Sequence, residues 1–305
     1  MLNLTTLLAA LPLVLGYLGA LHPALDSFSH FRIYALGGWI VWLIVRGLLA
    51  VGRARYGWWM SAVLFGVSLG MMVRPFAPES APGSAARTLT HLQYNINLHN
   101  PRIDTITRYI LDHRVDVVTL QEVTHAQERS LRALAAAGYR WQAYCMRRTT
   151  QEAIISRHPF VSGSVRCETH EGLVSARIRV GGTPITVASV HLFLPFPYGQ
   201  QAQVERLRGA LAVLRPPVLI AGDFNAAPWS HTVEMVAQAS RTRVVPGLRM
   251  TIPTDLRLIP HVPLPIDQVL VSPDLEVARI AVAPHMGSDH WPLIDRIVID
   301  ASASR

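Results

Sequence analysis

The chain has 305 residues, a formal net charge of +8, 50% hydrophobic residues and only 16% charged ones. Soluble domains carry about a quarter charged residues, so the composition excludes a chain exposed to water along its whole length. All 28 basic residues are arginine, which favours bidentate contacts to phosphate or carboxylate, and the excess charge is too small for a polyanion-binding tail.

Three apolar runs open the chain. Leu4 to Leu21 carries no charge, Ile33 to Val51 carries only Arg46, and Tyr56 to Val73 again carries none. Each is near the minimum length for crossing a bilayer, and together they predict three transmembrane helices at about 4–21, 33–51 and 56–73. A cleaved signal peptide explains only the first run, whose start lacks positive charge. Arg46, Arg53 and Arg55 cluster between the second and third runs. Positive residues stay cytoplasmic, so the domain after Arg74 is expected outside, on a bacterial inner membrane. Residues 75–86, rich in Pro, Ala, Ser and Gly, read as a linker.

From Arg87 to the C-terminus the pattern changes to short strands and helices. Strands are predicted at Thr88–Ile96, Asp116–Gln121, Arg140–Met146, Ala153–Ser156, Val161–Cys167, Leu173–Val180 and Ile185–His191. Another enters Gly222, and the last three are Gln268–Ser272, Val277–Ala283 and Leu293–Ile299. Helices are predicted at Asp104–His113, at Ala126–Ala137 (stopped by Gly138), at Gln200–Leu214, and from a Ser230 cap to Ala239. This order suggests two sheets packed face to face and covered by helices. Cys145 and Cys167 have no metal-site spacing; they pair only in an oxidising compartment.

Chemistry-bearing residues recur where strands end. The apolar run Pro217–Ala221 leads into Gly222-Asp223-Phe224-Asn225, where residues two apart share a face. Asp223 and Asn225 can thus address one atom, or form an Asx turn that caps the next helix. Asn95, Glu122, His191, Asp267, Asp289 and His290 sit at comparable positions.

The segments Gln93-Tyr94-Asn95-Ile96, Leu120-Gln121-Glu122-Val123, Gly222-Asp223-Phe224-Asn225, Ile266-Asp267 and Gly287-Ser288-Asp289-His290 resemble the endonuclease/exonuclease/phosphatase superfamily. The match runs from about 87 to 300. It implies a four-layer α/β sandwich, two mainly antiparallel sheets flanked by helices, with the site where loops of both sheets meet. With the apolar runs in front, the chain is similar to bacterial membrane-anchored members.

The resemblance implies roles. Glu122, with Asn95 and Asn97, holds Mg²⁺ or Mn²⁺, with Asp289 a second metal-site candidate. His290 takes a proton from the attacking water or shares it with Asp223, Asp267 orients His290, and Asn225 positions the attacking group. His191 binds the phosphate or protonates the leaving group, supported by Glu152. Two departures stand out: Ala153 replaces a frequent glycine beside Glu152, and Asn97 replaces the aspartate of exonuclease III-like nucleases, which argues against abasic-site repair. Arg147, Arg148, Phe196 and Tyr198 form a substrate rim suited to stacking bases or lying on lipid, or are ordinary solvated loop residues. The expected function is a divalent-metal-dependent phosphoester hydrolase, a phosphodiesterase acting on nucleic acid or a phospholipid head group, with no obligate protein partner. The alternative is a catalytically silent, membrane-tethered binding module of the same fold.

Overall fold

The computed structural model describes residues 4–49, 87–256 and 259–299. Strands are numbered in chain order. One six-stranded sheet holds β1 (Arg87–Asn95), β2 (Val117–Val123), β3 (Trp141–Met146), β4 (Gln151–Ser156), β13 (Leu275–Val282) and β14 (Leu293–Ile299), ordered β13-β14-β1-β2-β4-β3. The other holds β5 (Arg166–Glu168), β6 (Leu173–Val180), β7 (Thr183–His191), β8 (Val218–Asp223), β9 (Arg243–Val244) and β12 (Asp267–Val271), ordered β5-β6-β7-β8-β12-β9. Most neighbours are antiparallel; β1–β2 and β7–β8 are parallel.

Period-two alternation explains the layering, because both faces of each central strand are covered. Leu89, Val117, Ile154, Val187, Leu219 and Val269 share one buried cluster between the sheets. Leu92, Tyr94, Val118 and Leu120 point the other way, onto α4 (Ile103–Asp112) and α5 (His125–Arg132). Ala188, Ile220 and Leu270 likewise meet α6 (Gln200–Ala212) and α7 (His231–Ser240). Continuing the inward alternation to the strand ends selects Gln93 and Asn95, Gln121, Ser189 and His191, Asp223, and Asp267. The inter-sheet core therefore turns polar at one end, and that end is where the site forms.

Local elements differ from the sequence reading in three places. The strand expected at Val161–Cys167 shrinks to Arg166–Glu168, behind a turn with Gly163 at φ +67°. The helix expected over Ala126–Ala137 is α-helical only to Arg132 and continues as a 3₁₀ helix, Ala133–Ala137, ended by left-handed Gly138. The segment between Ala239 and Gln268, for which no element was predicted, contains the hairpin β10 (Ile252–Leu256) and β11 (Ile259–Leu264).

The N-terminal region requires a larger correction. Among the described residues no helix is long and apolar enough to cross a membrane, so the three transmembrane helices, and integral membrane partnering with them, are not supported. The first run forms α1, Leu4–Gly16, only 13 residues with Pro12 inside. At 1.5 Å per residue it reaches about 20 Å, short of the roughly 30 Å hydrocarbon core. The second run forms α3, Arg32–Leu49. Its apolar side chains Leu36 and Trp39 pack on Ala10 and Leu13 of α1, and Trp229 of the sandwich closes the same cluster. Between them, the single turn α2 (Pro23–Asp26) and a 3₁₀ helix, Ser27–Phe31, fold back onto the sandwich. The third run, Tyr56–Val73, and the linker at 75–86 lie outside the described residues.

Candidate active site

Register builds the centre of the site. Asp223 pairs with His191 on one neighbouring strand and with Asp267 on the other, so three inward side chains stand in a row across the end of one sheet. Gly222 permits this spacing: a Cβ there would collide with the Val190 carbonyl of β7. The rest of the motif follows by alternation. Asp223 faces the site, Phe224 is fully buried in the helix-side core, and Asn225 turns back with φ +46°. The Asn225 N–H donates to Asp223 Oδ1 at 2.8 Å, and its Nδ2 donates to Leu192 O at 3.0 Å. The Asx turn is present, inside the reactive cluster.

The other sheet contributes Glu122 through an irregularity. Pairing of β2 with β4 slips between Leu120 and Val123, and Glu122 itself has φ +59°. A bulge of this kind re-aims a side chain; here it moves the Glu122 carboxylate into the cleft beside the inward Gln121. The Leu98 N–H donates to Oε2 at 3.2 Å and the Asn95 amide to Oε1 at 3.1 Å. The same Asn95 Nδ2 donates to Asp223 Oδ2 at 3.0 Å. Asn95 thus joins two carboxylates as a donor. Asn97, at φ +60°, donates from Nδ2 to Asp289 Oδ1 at 2.7 Å. Burial raises the Asp289 pKa, but the Asn97 amide and His290 charge outweigh it and hold it below the usual value.

His290 enters from the loop before β14. Gly287, at φ +95°, allows a close pass over Asn100, and Ser288 fastens the loop to β1 by donating to Asn95 O at 2.7 Å. His290 Nδ1 then lies 2.8 Å from Asp267 Oδ2, and Nε2 lies 3.6 Å from Asp223 Oδ2. Burial disfavours charge on this ring, yet the carboxylates of Asp267 and Asp223 outweigh it and push the pKa up to about 10. Burial also pushes the Asp223 carboxyl upward, against the opposing pull of His290 and His191. A proton is therefore held within this buried group at neutral pH.

His191 completes the row. Its Nε2 lies 3.5 Å from Asp223 Oδ2 and 4.0 Å from Glu122 Oε1. Glu152, fully buried, lies 3.5 Å from Nδ1. A closer partner, Arg147, donates from its guanidinium to Nδ1 at 2.9 Å, which leaves the ring proton on Nε2, facing the cleft. Arg147 also stacks on Phe193, 4.8 Å from the ring centre.

The cleft has a volume of about 600 Å³, and Glu122, His191, Asp223, Asn225, Asp289 and His290 face it together. Arg147, Arg148 and Tyr198 also line it; Phe196 stands outside the lining, edge-on to His22 at 5.6 Å.

The sequence reading missed the support behind Asp267. Gln93 Nε2 donates to Asp267 Oδ1 at 2.9 Å and to Gln121 Oε1 at 3.0 Å, and Gln121 Nε2 donates to Ser189 Oγ at 2.9 Å. The signal was available: three polar residues at inward positions of core strands, each two residues from a strand end.

Residues 92–290 match the family model described as the Endonuclease/Exonuclease/phosphatase family. The chain belongs to this family. Comparison with curated protein sequences gives no match. Solved structures share the fold. D. rerio TDP2 complexed with single strand DNA product is 19% identical, with TM-score 0.56, over 69% of this chain and 98% of that one. The Bacteroides vulgatus endonuclease/exonuclease/phosphatase is 18% identical, with TM-score 0.57, over 70% of this chain and all of that one. Beta toxin from Staphylococcus aureus is 15% identical, with TM-score 0.52, over 68% and 99%. Family members are hydrolases acting on phosphoesters, and family membership carries that coarse activity to this chain.

Proposed function

We propose that the chain is a divalent-metal-dependent phosphodiesterase acting on nucleic acid. The observation that carries this reading is Asp223 Oδ2, flanked by His191 Nε2 at 3.5 Å and His290 Nε2 at 3.6 Å, with Asp267 behind His290. An assembled cluster of this kind supports a working enzyme over a silent binding module.

The donors fit a hard ion on the Glu122 side. Asp223, Asp267 and His290 could in principle form a metal group, since their ligand atoms lie within 4.8 Å of one another. However, His290 Nδ1 is engaged by Asp267, and Asp267 Oδ1 by Gln93. That trio is satisfied by protons and hydrogen bonds. Glu122 and Asp289 instead offer carboxyl oxygens to the cleft, which suits Mg²⁺ or Mn²⁺. When bound, such an ion neutralises charge that develops on the phosphoryl oxygens.

The protein's own groups do the rest. With His290 protonated, the carboxylate of Asp223 accepts the proton of the attacking water, and the Asn225 side chain orients that water. The His191 Nε2–H faces the cleft, where it binds a phosphoryl oxygen or gives its proton to the leaving oxygen as the P–O bond breaks. Arg147, Arg148, Phe193 and Tyr198 supply the mixture of cations and aromatic faces that single strands use. The DNA product held by the TDP2 structure supports the same choice. The Cys145–Cys167 disulfide joins β3 of one sheet to β5 of the other, which supports an oxidising compartment as the place of action.

A phospholipid head group is the second reading. It is favoured by the exposed cleft residues Leu194 and Tyr198, at 52% and 66% exposure.

The full chain should be assayed with Mg²⁺ on single- and double-stranded DNA, RNA, phospholipid vesicles and bis(p-nitrophenyl) phosphate, before and after chelation. Metal-dependent cleavage of nucleic acid is expected. Cleavage of vesicle lipid alone selects the second reading, and inertness toward every phosphoester in a folded sample refutes both.

A further inference from the structure

The segment between the N-terminal helices reaches the site through its backbone. Asn225 holds a left-handed conformation, φ +46°. Outside glycine that region costs free energy and persists where surrounding contacts over-determine it. Two donors converge on the Asn225 carbonyl: Gln200 Nε2 at 3.0 Å from α6, and His30 Nε2, also at 3.0 Å, from 195 positions earlier in the chain. His30 is 4% exposed, and its other ring nitrogen, Nδ1, lies 3.0 Å from Ser27 O; a neutral ring has one N–H to give, and the tautomer with the proton on Nε2 gives it to Asn225 rather than to Ser27.

The contact is anchored on both sides. Ser29 O accepts from the Trp229 indole at 2.6 Å. The Asp26 carboxylate accepts the N–H groups of His231 and Thr232 at 2.8 and 2.9 Å, at the N-terminus of α7. The chain on either side of Ala226–Pro228 is thus gripped by residues 26–30, which lie outside the span of the family match, 92–290.

We propose that His30 is a positioning residue for Asn225. By donating to the Asn225 carbonyl it holds the left-handed backbone from which the Asn225 side chain faces the cleft, so the N-terminal segment completes the active site. The inference rests on the reading of Asn225 as an orienting residue in phosphodiester hydrolysis.

The test uses the full chain in wild-type, His30→Ala, His30→Gln, Asn225→Ala and His30→Ala/Asn225→Ala forms. Turnover of bis(p-nitrophenyl) phosphate with Mg²⁺ is read beside hydrogen–deuterium exchange of peptides covering 222–232. His30→Ala is expected to lower kcat roughly 10- to 100-fold, as small misplacements of reacting groups do, with KM nearly unchanged. Gln at position 30 retains an N–H donor and is expected to recover part of the loss. In the double variant, kcat should equal that of Asn225→Ala alone, because the two act through one group. Exchange over 222–232 should accelerate in His30→Ala. Independent, additive losses in the double variant overturn the proposal, and so does unchanged exchange. A wild-type chain with no activity refutes the phosphodiesterase reading instead; the exchange comparison then decides whether His30 holds Asn225.

Discussion

Replacing Asp26 by Ala tests the docking of the N-terminal segment most directly. Asp26 is 3% exposed and accepts four hydrogen bonds: from His231 N, from Thr232 N and Oγ1 at 2.8–2.9 Å, and from Gln201 Nε2 at 3.3 Å. It acts as a second cap on α7, beside Ser230, whose Oγ accepts from Val233 N at 3.2 Å. Losing a side-chain cap costs about 1–2 kcal/mol, and a hydrogen bond to a charged group contributes about 1.5–3 kcal/mol. Because these bonds share one carboxylate they do not add, and a loss of about 3 kcal/mol is expected for Asp26→Ala. For a protein of this size that corresponds to roughly 6–12 °C in Tm by calorimetry. The pH dependence has a definite sign. Burial raises the Asp26 pKa, but the donated hydrogen bonds outweigh it and set it below the usual 3.8. A depressed carboxyl pKa contributes stability that is present above the unfolded value and lost as pH falls through the folded one. The gap between wild type and Asp26→Asn should therefore be full at neutral pH and close below about pH 3.8. An Asp26→Ala protein that melts within a degree or so of wild type, or a gap that persists in strong acid, would refute this account of the docking.

Other outcomes follow from the site and the scaffold. Asp223→Ala should lower kcat about 10²- to 10⁴-fold, the usual contribution of an acid–base group, measured on the substrate that wild type cleaves best. Gln93→Leu removes the donor to Asp267 Oδ1; a roughly tenfold fall in kcat with KM retained is expected, and an unchanged kcat would show that His290 alone fixes Asp267. Cys145→Ser opens a crosslink between residues 22 apart and should cost about 3 kcal/mol in denaturant unfolding. Stripping divalent ions should abolish turnover, and Mg²⁺ should restore it while leaving secondary structure by circular dichroism unchanged.

Much of the site was legible because alternation carries information. Once Leu219 and Ala221 are inward, Asp223 is inward too, and the same counting places Asn95, His191 and Asp267. Glu122 was marked as a strand-end residue, but alternation does not turn it inward, since a bulge shifts it by one position, and only the family resemblance gave it a role. Gln93 and Gln121 were quoted within motifs and given no task, because a buried amide shows its purpose only when its partner across the sandwich is known. The N-terminal runs misled for a related reason. An 18-residue apolar run satisfies a membrane and a hairpin equally well until the turn inside it is seen. The break after Gly16 and the stretch from His22 to Arg32 end α1 early and return the chain to Trp229, so that one apolar face of each helix packs on protein, while Leu8, Leu11, Val14, Val41 and Ile44 stay exposed.

The disulfide has a practical consequence. Cys145 lies two residues before Arg147, the residue that fixes the proton on His191. Protein made in a reducing host would carry thiols at the free edges of both sheets, and the wall of the cleft that holds Arg147 would lose its tie. A preparation containing both redox forms would be two enzymes in one tube, with different specific activities and a biphasic melting curve. Titrating free thiols before any kinetic measurement separates that mixture from a true property of the active site.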